Sequence, residues 1–549
     1  MKWWGWGEEG VSFRHSDKPA FAAFVKKVID VDVTKEPEAM SSLDALPVAP
    51  SRAPQELRAS LQAVVGTDHV KEDTLDRVVH SYGKGLRDLV RIRRGDMGRL
   101  PDLVVYPGAE DEVVEIVKVA LSANAVVIPF GGGTNISGSL EAPRSESRTV
   151  ISVDMCRMSN VLDIDEGSRL ARIQCGALGP SIERHLNERG WTLGHFPDSF
   201  NHSTLGGWIA TRSSGMQSDK YGDIADLTRA IRVVTPAGVL ATRPVPSSST
   251  GPSVREMILG SEGRLGIITE AVVHVHRIPQ KRRIYGYLFP DWRSSLRAMT
   301  AIAESDAAPS VTRVSDPNET RFSFATKKHE SPAGRMKSAL SKFYLQRVKG
   351  FDVQQMCLSF IGYEGSEEHV NIQKRLVDEI VGRHGGLCAG TGPGEIYDRK
   401  KFDTPYLRDF LLDRGALADV SETAAPWAQL ETLYDGVTAR ANAAFQKIGV
   451  KGYVMCHLAH SYHSGACLYF TFAFRPSDKA QALEQYDVVK GAIQQGFVDL
   501  GGTLSHHHGV GVEHSAWLGQ DISPVGVTMI RSLLDGVDPQ HNFNPGKIV

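Results

Sequence analysis

The feature that most constrains this chain is a run of three glycines at the end of a predicted strand. The apolar segment Val126–Phe130 leads directly into Gly131–Gly133, and Thr134–Asn135 follow. Glycines let a backbone turn tightly and present several N–H groups to an anion. One such loop is also compatible with an ordinary turn. It is not a G-x-G-x-x-G motif entering a helix, so a Rossmann site is disfavoured.

Two further elements of the same kind follow along the chain. Residues 197–215 and 260–269 are rich in glycine, serine and threonine, and such residues let a backbone lie flat against a ring system and a pyrophosphate. Each element alone could be scaffold, but the three in this order are specific. The predicted cofactor-binding residues are Pro129, Phe130, Gly131, Gly132, Gly133, Thr134, Asn135, Asp198, Ser199, Ser203, Thr204, Thr211, Arg212, Ser213, Ser214, Gly260, Ser261, Glu262, Gly263, Arg264, Leu265 and Gly266.

The 549 residues exceed what one hydrophobic core usually organises, so several domains are expected. Short apolar strands alternate with helical patterns up to about residue 280, and longer helical patterns then separate strand-like segments. The chain is therefore predicted to be α+β, with an antiparallel sheet covered by helices in its second half. The expected units are 1–95 (a helical extension), 96–280, 281–500 and 501–549.

The charge balance offers no electrostatic case for a nucleic-acid partner. Lys and Arg number 62 and Asp and Glu number 64, which leaves a net charge of −2. The six cysteines are scattered and predict reduced thiols. No apolar stretch approaches the roughly 20 residues of a spanning helix, and the N-terminus does not resemble a signal peptide. We therefore expect a cytoplasmic protein, with peripheral membrane contact as a further option.

Two local patterns leave alternatives open. The aromatic start, with Trp3, Trp4 and Trp6, could rest on a membrane interface, but packing is favoured because tryptophan buries so much area. The mostly basic run Arg87–Arg94 could attract phosphate, although a solvated helix face is the favoured interpretation.

The three glycine-rich elements resemble those of the vanillyl-alcohol oxidase family of FAD-binding proteins. The resemblance covers roughly 100–280 and the C-terminal tail. It implies a two-subdomain FAD-binding domain with a cap domain, and binding of the pyrophosphate, the isoalloxazine and the adenine side by the three elements. Some members tether FAD through a histidine in the first loop. Residues 129–139 contain no histidine, so we expect non-covalent FAD.

Members of this family that oxidise D-2-hydroxyacids carry a metal site in the cap domain, made by two histidines and a glutamate. The matching positions of this chain hold Tyr462, Tyr469 and His507. A phenol is a poor ligand at neutral pH because its pKa is near 10. No metal is therefore expected here.

Several motifs instead resemble the alkyldihydroxyacetonephosphate synthase family nearly from end to end. They are the Lys-Trp-x-Gly-Trp-Gly start, Ser214–Met216, Pro405–Asp409, Gly465–Phe470 and Ser505–Gly511. The last, Ser-His-His-His-Gly-Val-Gly, is the most telling, because three adjacent histidines in a glycine-flanked loop are hard to explain by packing. The ending Asn-Pro-Gly-Lys looks more like the hydroxyacid oxidases.

This resemblance implies an FAD-dependent transferase of ether lipid synthesis, an alkylglycerone-phosphate synthase. Such an enzyme exchanges the acyl chain of acyl-dihydroxyacetone phosphate for a long-chain fatty alcohol, with no net redox change. In that family the flavin N5 bonds to the substrate carbon while the fatty acid leaves, and the alcohol then attacks. The resemblance also implies a homodimer.

The same resemblance places the proton carrier at Tyr469. Its pKa is normally too high for a base, so His506, His507 and His508 are expected to lower it as positively charged neighbours. A tyrosine that only packs in a sheet is the alternative for Tyr469.

The substrate phosphate needs a bidentate cation. Arg408 is the first choice and Arg313 the second. Either arginine could instead serve an ion pair, as Arg408 could with Asp409 or Asp413.

Two other functions stay open at this point. The chain could be an FAD-dependent D-2-hydroxyacid dehydrogenase or oxidase, or a non-catalytic flavin-binding or lipid-sensing protein. The segment 326–337, rich in Lys, Ser and Gly, could close over a substrate.

Overall fold

The computed structural model describes residues 2–38, 40–328 and 344–549. Most of the segment 326–337 therefore lies outside the described residues. Within them the chain forms three larger sheets with helices packed on them, which confirms the predicted α+β class. No helix in the described ranges combines the length and the apolar character that crossing a membrane requires.

The regular elements of the first hundred residues are mainly helices. Helix α1 buries Phe21, Val25 and Ile29, which recur every four residues and so share one face. The elements are α1 (Phe21–Ile29), α2 (Gln55–Val65), β1 (Val70–Lys71), α3 (Thr74–Val79) and α4 (Leu86–Arg93).

The first sheet has the strand order β1-β2-β4-β3. Its other elements are β2 (Leu103–Val105), α5 (Glu110–Ser122), β3 (Val126–Phe130) and β4 (Val150–Asp154). Strands β2, β4 and β3 run parallel and are almost fully buried, as apolar runs predict for a parallel sheet covered on both faces. The first glycine loop begins where β3 ends, so the sheet fixes its position.

The second sheet is antiparallel, with the order β5-β6-β10-β8-β9. Its region contains β5 (Val161–Asp165), β6 (Leu170–Gln174), α6 (Gly179–Asn187), β7 (Trp191–Thr192), α7 (Leu205–Thr211), α8 (Ser218–Tyr221), α9 (Ile224–Leu227), β8 (Thr228–Thr235), β9 (Gly238–Ala241), α10 (Val254–Ile258), β10 (Ile267–His274) and β11 (His276–Arg277). The second glycine-rich element contains α7, and the third leads into β10.

The third sheet is antiparallel and has seven strands in the order β15-β12-β14-β13-β17-β18-β16. Its region contains β12 (Lys281–Phe289), α11 (Trp292–Ala303), β13 (Val311–Ser315), α12 (Pro317–Ala325), β14 (Cys357–Gly365), α13 (Glu367–Arg383), β15 (Leu387–Gly390), α14 (Thr391–Lys400), α15 (Thr404–Leu412), β16 (Leu417–Pro426), α16 (Leu430–Lys447), β17 (Gly452–Ser461), β18 (Gly465–Phe474) and α17 (Ala482–Asp499). The tail adds α18 (Leu518–Asp521) and α19 (Ser523–Val537). We call this third sheet the cap sheet.

Helix α4 contradicts the expectation of a solvated basic face. Arg91 binds Glu141 at 2.6 Å, and both side chains are mostly buried. Arg93 binds Asp413 at 3.0 Å and donates to the carbonyl oxygen of Trp4 at 2.6 Å. The basic run therefore joins the N-terminal region to the glycine-loop region and to the cap region, because these ion pairs link distant parts of the chain.

The aromatic N-terminus packs into the protein, as predicted. Trp3 and Trp6 are 8% and 4% exposed. The backbone N–H of Trp6 donates to Oδ2 of Asp409 at 2.5 Å. Because Asp409 lies on α15, the N-terminal segment is attached to the helix that also carries Arg408.

We predict that Arg93→Ala lowers the free energy of unfolding by about 2 kcal/mol, since it removes charge-assisted hydrogen bonds to Asp413 and Trp4. The matched control is Arg144→Ala, whose partner Asp96 lies in an exposed ion pair; its effect should stay within about 0.5 kcal/mol. Urea unfolding measures both. Equal losses in the two variants would contradict this role of Arg93.

Candidate active site

One large cavity, of about 2130 Å³, lies between the glycine-rich elements and the cap sheet. The glycine loop after β3 lies on one side, and strands β17 and β18 of the cap sheet on the other. The apolar face of α1 forms a further part of the wall, with Phe24, Val25, Val28 and Ile29. The cavity wall thus has a polar part at the glycine loop and an apolar part at α1. We call the apolar part the apolar arm.

The first glycine loop packs too closely on its neighbour for any side chain. A Cβ on Gly132 would lie 1.8 Å from the carbonyl oxygen of His202, and one on Gly131 would lie 2.3 Å from Oγ1 of Thr204. Gly133 has a φ of +64°, the left-handed region that glycine tolerates best. The loop thus presents bare backbone to the cavity, which fits a dinucleotide pyrophosphate and ring system.

Most of the predicted cofactor residues line this cavity. They are Pro129, Phe130, Gly131, Gly132, Gly133, Thr134, Asn135, Asp198, Ser199, Ser203, Thr204, Thr211, Ser213, Ser214, Glu262, Gly263 and Gly266. The structure does not place Arg212, Gly260, Ser261, Arg264 or Leu265 among the lining residues. Arg212 instead pairs with Glu256 at 3.0 Å on the surface, and Arg264 is buried beside the tail, where it donates to the carbonyl oxygen of Asn544.

Glu262 binds the backbone of the C-terminal segment, a role that the glycine-rich motif around it does not predict. Its buried carboxylate accepts the backbone N–H groups of Val510 and Gly511 at 2.5 and 2.8 Å, and the hydroxyl of Ser139 at 2.7 Å. Burial raises the pKa of Glu262. This side chain ties the first glycine loop to residues 505–511, which we call the histidine loop.

The histidine loop is held from the other side by Glu422 of strand β16. This carboxylate is 2% exposed at the residue level. It accepts the backbone N–H groups of His506, His507 (3.1 Å) and His508 (3.0 Å), and the hydroxyl of Ser505 at 2.7 Å. Burial opposes its charge, but the pKa of Glu422 lies well below its usual value, because the three histidines and Ser505 surround it with N–H and O–H donors.

The cap sheet brings Tyr469 into register with the groups around it. Glu422 on β16 and His457 on β17 are its direct partners across the two neighbouring strands. The ring of Tyr469 stacks on His457 with centroids 4.8 Å apart and on His507 at 6.0 Å. His508 meets it edge-on at 5.6 Å. The sheet and the histidine loop therefore enclose one phenol within a layer of imidazoles.

The expected effect of the histidines on Tyr469 is wrong for this arrangement. Burial lowers the pKa of His507 to about 3 and that of His508 to about 4, so both imidazoles are neutral at pH 7. Burial, with Asp198 and Glu422 nearby, raises the pKa of Tyr469 well above 10. Tyr469 is therefore a protonated phenol next to neutral imidazoles, because the desolvation of each group exceeds the attraction between them.

The three histidines do not share one position. His507 and His508 line the cavity, together with Tyr469. His506 is not among the lining residues of the described chain, and its Nε2 instead lies 2.6 Å from the hydroxyl of Tyr462. His506 is thus placed behind the wall rather than on it.

The two predicted phosphate ligands differ in their partners. Both line the cavity. Arg313 is engaged, because it donates to Glu319 at 2.6 Å and lies 3.1 Å from Nδ1 of His457. Among the described residues, the buried Nε and Nη2 atoms of Arg408 have no hydrogen-bond partner. Asp409 and Asp413 interact with Trp6 and Arg93 instead, so Arg408 remains available for an anion.

One cluster has the spacing of a metal site. Ligand atoms of Glu422, Cys467, His506 and His507 lie within 4.8 Å of one another. The oxygens of Glu422 already accept backbone N–H groups, and Nδ1 of His506 shares a hydrogen bond of 2.9 Å with Nδ1 of His507. Burial raises the pKa of Cys467 well above its usual value, so its thiol stays protonated. The cluster is satisfied without an ion.

The sequence does not predict several of the residues that line the cavity. The sequence places helix α1 in an N-terminal helical extension, yet α1 lines the apolar arm of the cavity. Its four-residue apolar spacing was visible, but such spacing equally describes a helix packed on a core. His457 and Tyr397 also line the cavity, and neither lies in a recognisable motif.

Family comparisons define the class of protein. Residues 101–242 match the model of the FAD binding domain, and residues 278–548 match that of the C-terminal domain of FAD linked oxidases. The fold also resembles p-cresol methylhydroxylase, with a TM-score of 0.67 at 16% identity over 91% of this chain and 98% of that one. The chain is thus a flavoprotein with FAD as its cofactor.

Closer relatives identify the family. The chain is 39% identical to alkyldihydroxyacetonephosphate synthase of Dictyostelium discoideum, over 100% of this chain and 93% of the relative. It is 36% identical to the enzyme of that name from Trypanosoma brucei brucei, over 100% and 92%. A solved structure of alkyldihydroxyacetonephosphate synthase superposes with a TM-score of 0.85 at 37% identity, covering 100% of this chain and 98% of that one. This chain belongs to the alkyldihydroxyacetonephosphate synthase family.

We predict that Gly132→Ala abolishes tight flavin binding, since its Cβ would overlap the carbonyl oxygen of His202. The ratio of flavin to protein is measured by absorbance after gel filtration. We expect it to fall as for an affinity that is at least about tenfold weaker. The matched control is Gly382→Ala, because a Cβ at this helical glycine has nothing within 4 Å. Normal flavin content in Gly132→Ala would contradict the cradle.

Proposed function

We propose that this chain exchanges the acyl chain of acyl-dihydroxyacetone phosphate for a long-chain fatty alcohol, with dissociable FAD as its cofactor. The observation that carries the proposal concerns Arg408, whose buried Nε and Nη2 atoms have no hydrogen-bond partner among the described residues. It lines the same cavity as the protonated phenol of Tyr469. Arg408 suits a phosphate, and Tyr469 with His507 suits proton movement at a neighbouring carbon.

The apolar arm supports a lipid substrate. Phe24, Val28 and Ile29 of α1 line the same cavity as Leu407 and Leu411 of α15. Because Arg408 lies between these two leucines in sequence, the phosphate and a fatty chain would approach the same helix. Burying such a chain stabilises the complex by about 0.8 kcal/mol per CH₂ group.

When bound in the glycine-rich cradle, FAD would supply an electrophilic centre for the exchange of the acyl and alkyl chains. The chain's own residues do the rest. The glycine loop orients the ring system, Arg408 binds the phosphate, and the cap sheet excludes water from the reacting carbon. Tyr469 holds a proton on its hydroxyl, and neutral His507 beside it can accept one.

The first glycine loop supports the proposal that FAD is dissociable. Residues 129–139 contain no histidine, and His202 approaches the loop through its backbone oxygen. Association with a membrane surface and a homodimer are further parts of this proposal. They rest on the likeness to the family and on the lipid nature of the substrates.

We predict that Arg408→Lys raises the KM for acyl-dihydroxyacetone phosphate by about ten- to hundredfold, since a lysine loses the bidentate contact. The control is Arg414→Lys; this arginine donates to the carbonyl oxygens of Val33 and Phe410 and should leave KM unchanged. A larger rise in Arg313→Lys than in Arg408→Lys would reverse the assignment of the two arginines.

The central test is product formation by the flavin-loaded protein, given palmitoyl-dihydroxyacetone phosphate and labelled hexadecanol in detergent micelles. We expect labelled alkyl-dihydroxyacetone phosphate, and a fall in kcat of at least about a hundredfold in Tyr469→Phe. Tyr285→Phe, on strand β12 outside the cavity, is the matched control. The absence of ether product from FAD-replete protein would refute the proposed reaction.

A further inference from the structure

A chain of hydrogen bonds leads from the cavity wall to a carboxylate behind it. Nδ1 of His507 lies 2.9 Å from Nδ1 of His506, and Nε2 of His506 lies 2.6 Å from the hydroxyl of Tyr462. That hydroxyl donates to Oδ2 of Asp223 at 2.9 Å. The described residues that line the cavity include His507 but not the other three. The chain therefore starts at the reacting space and runs away from it.

The carboxylate of Asp223 is ionised. Burial opposes its charge, but the pKa of Asp223 lies below its usual value, because the imidazoles of His460 and His506 lie close and the hydroxyls of Ser214 and Tyr462 donate to it. Both hydroxyls donate to this carboxylate. An ionised carboxylate only accepts hydrogen bonds, so Asp223 fixes one end of the chain.

The direction of the next hydrogen bond follows from that end. The hydroxyl of Tyr462 gives its one proton to Asp223, so its oxygen accepts from Nε2–H of His506. The hydrogen bond between the two Nδ1 atoms holds one proton, and we assign it to His507, so that Nδ1 of His506 accepts. The nitrogen of His507 left without a proton is Nε2, on a residue of the cavity wall.

We propose that Asp223, Tyr462 and His506 are positioning residues that make His507 the proton acceptor of this enzyme. The inference rests on the proposed function. Nε2 of His507 takes the proton from the reacting carbon, and the electron pair of the broken C–H bond stays on that carbon. The Nδ1 proton of His507 moves to Nδ1 of His506. The reverse steps return the proton, so no oxidant or reductant is consumed.

The positive charge then rests on His506, away from the cavity. There it is hydrogen-bonded to Tyr462, which is hydrogen-bonded in turn to the carboxylate of Asp223. His460 stacks on the ring of His506 with centroids 5.2 Å apart and an angle of 18° between the planes, which keeps that ring in place. The arrangement separates the charge from the reacting carbon by one imidazole.

A purely structural role does not account for this chain. The backbone of the histidine loop is already held by Glu422 and Glu262, through N–H groups on both sides of His507. The Tyr462 hydroxyl contacts only a side chain of the loop, His506. Its effect should therefore fall on the imidazoles and not on the loop conformation.

The test uses Tyr462→Phe in the flavin-loaded, full-length protein. Two rates are measured: ether formation from palmitoyl-dihydroxyacetone phosphate and hexadecanol, and loss of deuterium from the reacting carbon to water without alcohol. Both should fall by about a hundredfold. The KM and the flavin content should stay within about threefold, because Tyr462 does not line the cavity.

The matched control is Tyr434→Phe. Its hydroxyl donates to Oδ2 of Asp316 at 3.0 Å, so it loses the same kind of hydrogen bond away from the cavity. It should leave both rates unchanged. Asp223→Asn is the second variant, since it removes the charge with little change of shape, and it should reproduce the loss seen in Tyr462→Phe.

The outcomes separate the two proposals. Wild-type protein that forms no ether would refute the proposed function. Active wild-type protein with kcat in Tyr462→Phe and Asp223→Asn within about threefold of Tyr434→Phe would overturn the relay. If Tyr462→Phe loses flavin or does not fold, Asp223→Asn decides: a retained rate overturns the relay, and a loss in kcat without a change in KM supports it.

Discussion

Two buried carboxylates, Glu422 and Glu262, hold the histidine loop from opposite sides, and the rest of the site depends on them. Glu422 belongs to the cap sheet, while Glu262 belongs to the third glycine-rich element. Each accepts several backbone N–H groups of the loop. If the loop shifted, the buried charge of Glu422 and the buried oxygens of Glu262 would lose their hydrogen-bond partners, at a cost of several kcal/mol. This constraint keeps the proton-handling side chains of the cap at a fixed distance from the flavin cradle.

The sequence revealed the parts of this fold whose signals are local. Apolar runs such as Val126–Phe130 and glycines such as Gly132 are dictated by the strand and the turn that they form. The sequence does not predict strand β16 (Leu417–Pro426), because its Ala, Ser, Asp and Glu residues lack the β-branched alternation of a strand. Its polar residues are buried because they serve the site. The polar residues that serve the site are thus the same residues that make this segment unlike a strand in sequence.

The sequence predicts the site residues that lie in recognisable motifs. It does not predict those that reach the site only through tertiary contacts. Tyr469 and His507 lie together on the cavity, as expected, and the comparisons confirm the family that their motifs resemble. The protonation states were not predictable, since the sequence does not show how completely Tyr469 is buried. Asp223 and Glu422 act on the histidine loop through contacts between residues far apart in the chain. Residue spacing in the sequence does not predict such contacts.

The most direct test of the account is the stoichiometry of turnover. Fatty acid released, ether product formed and oxygen consumed are measured together in the flavin-loaded protein, with acyl-dihydroxyacetone phosphate and a fatty alcohol. We expect equal amounts of fatty acid and ether, no oxygen consumption, and no bleaching of the flavin by D-2-hydroxyacids. Oxygen consumption that matches the substrate lost, or a flavin reduced by a D-2-hydroxyacid, would contradict it and identify an oxidase or dehydrogenase.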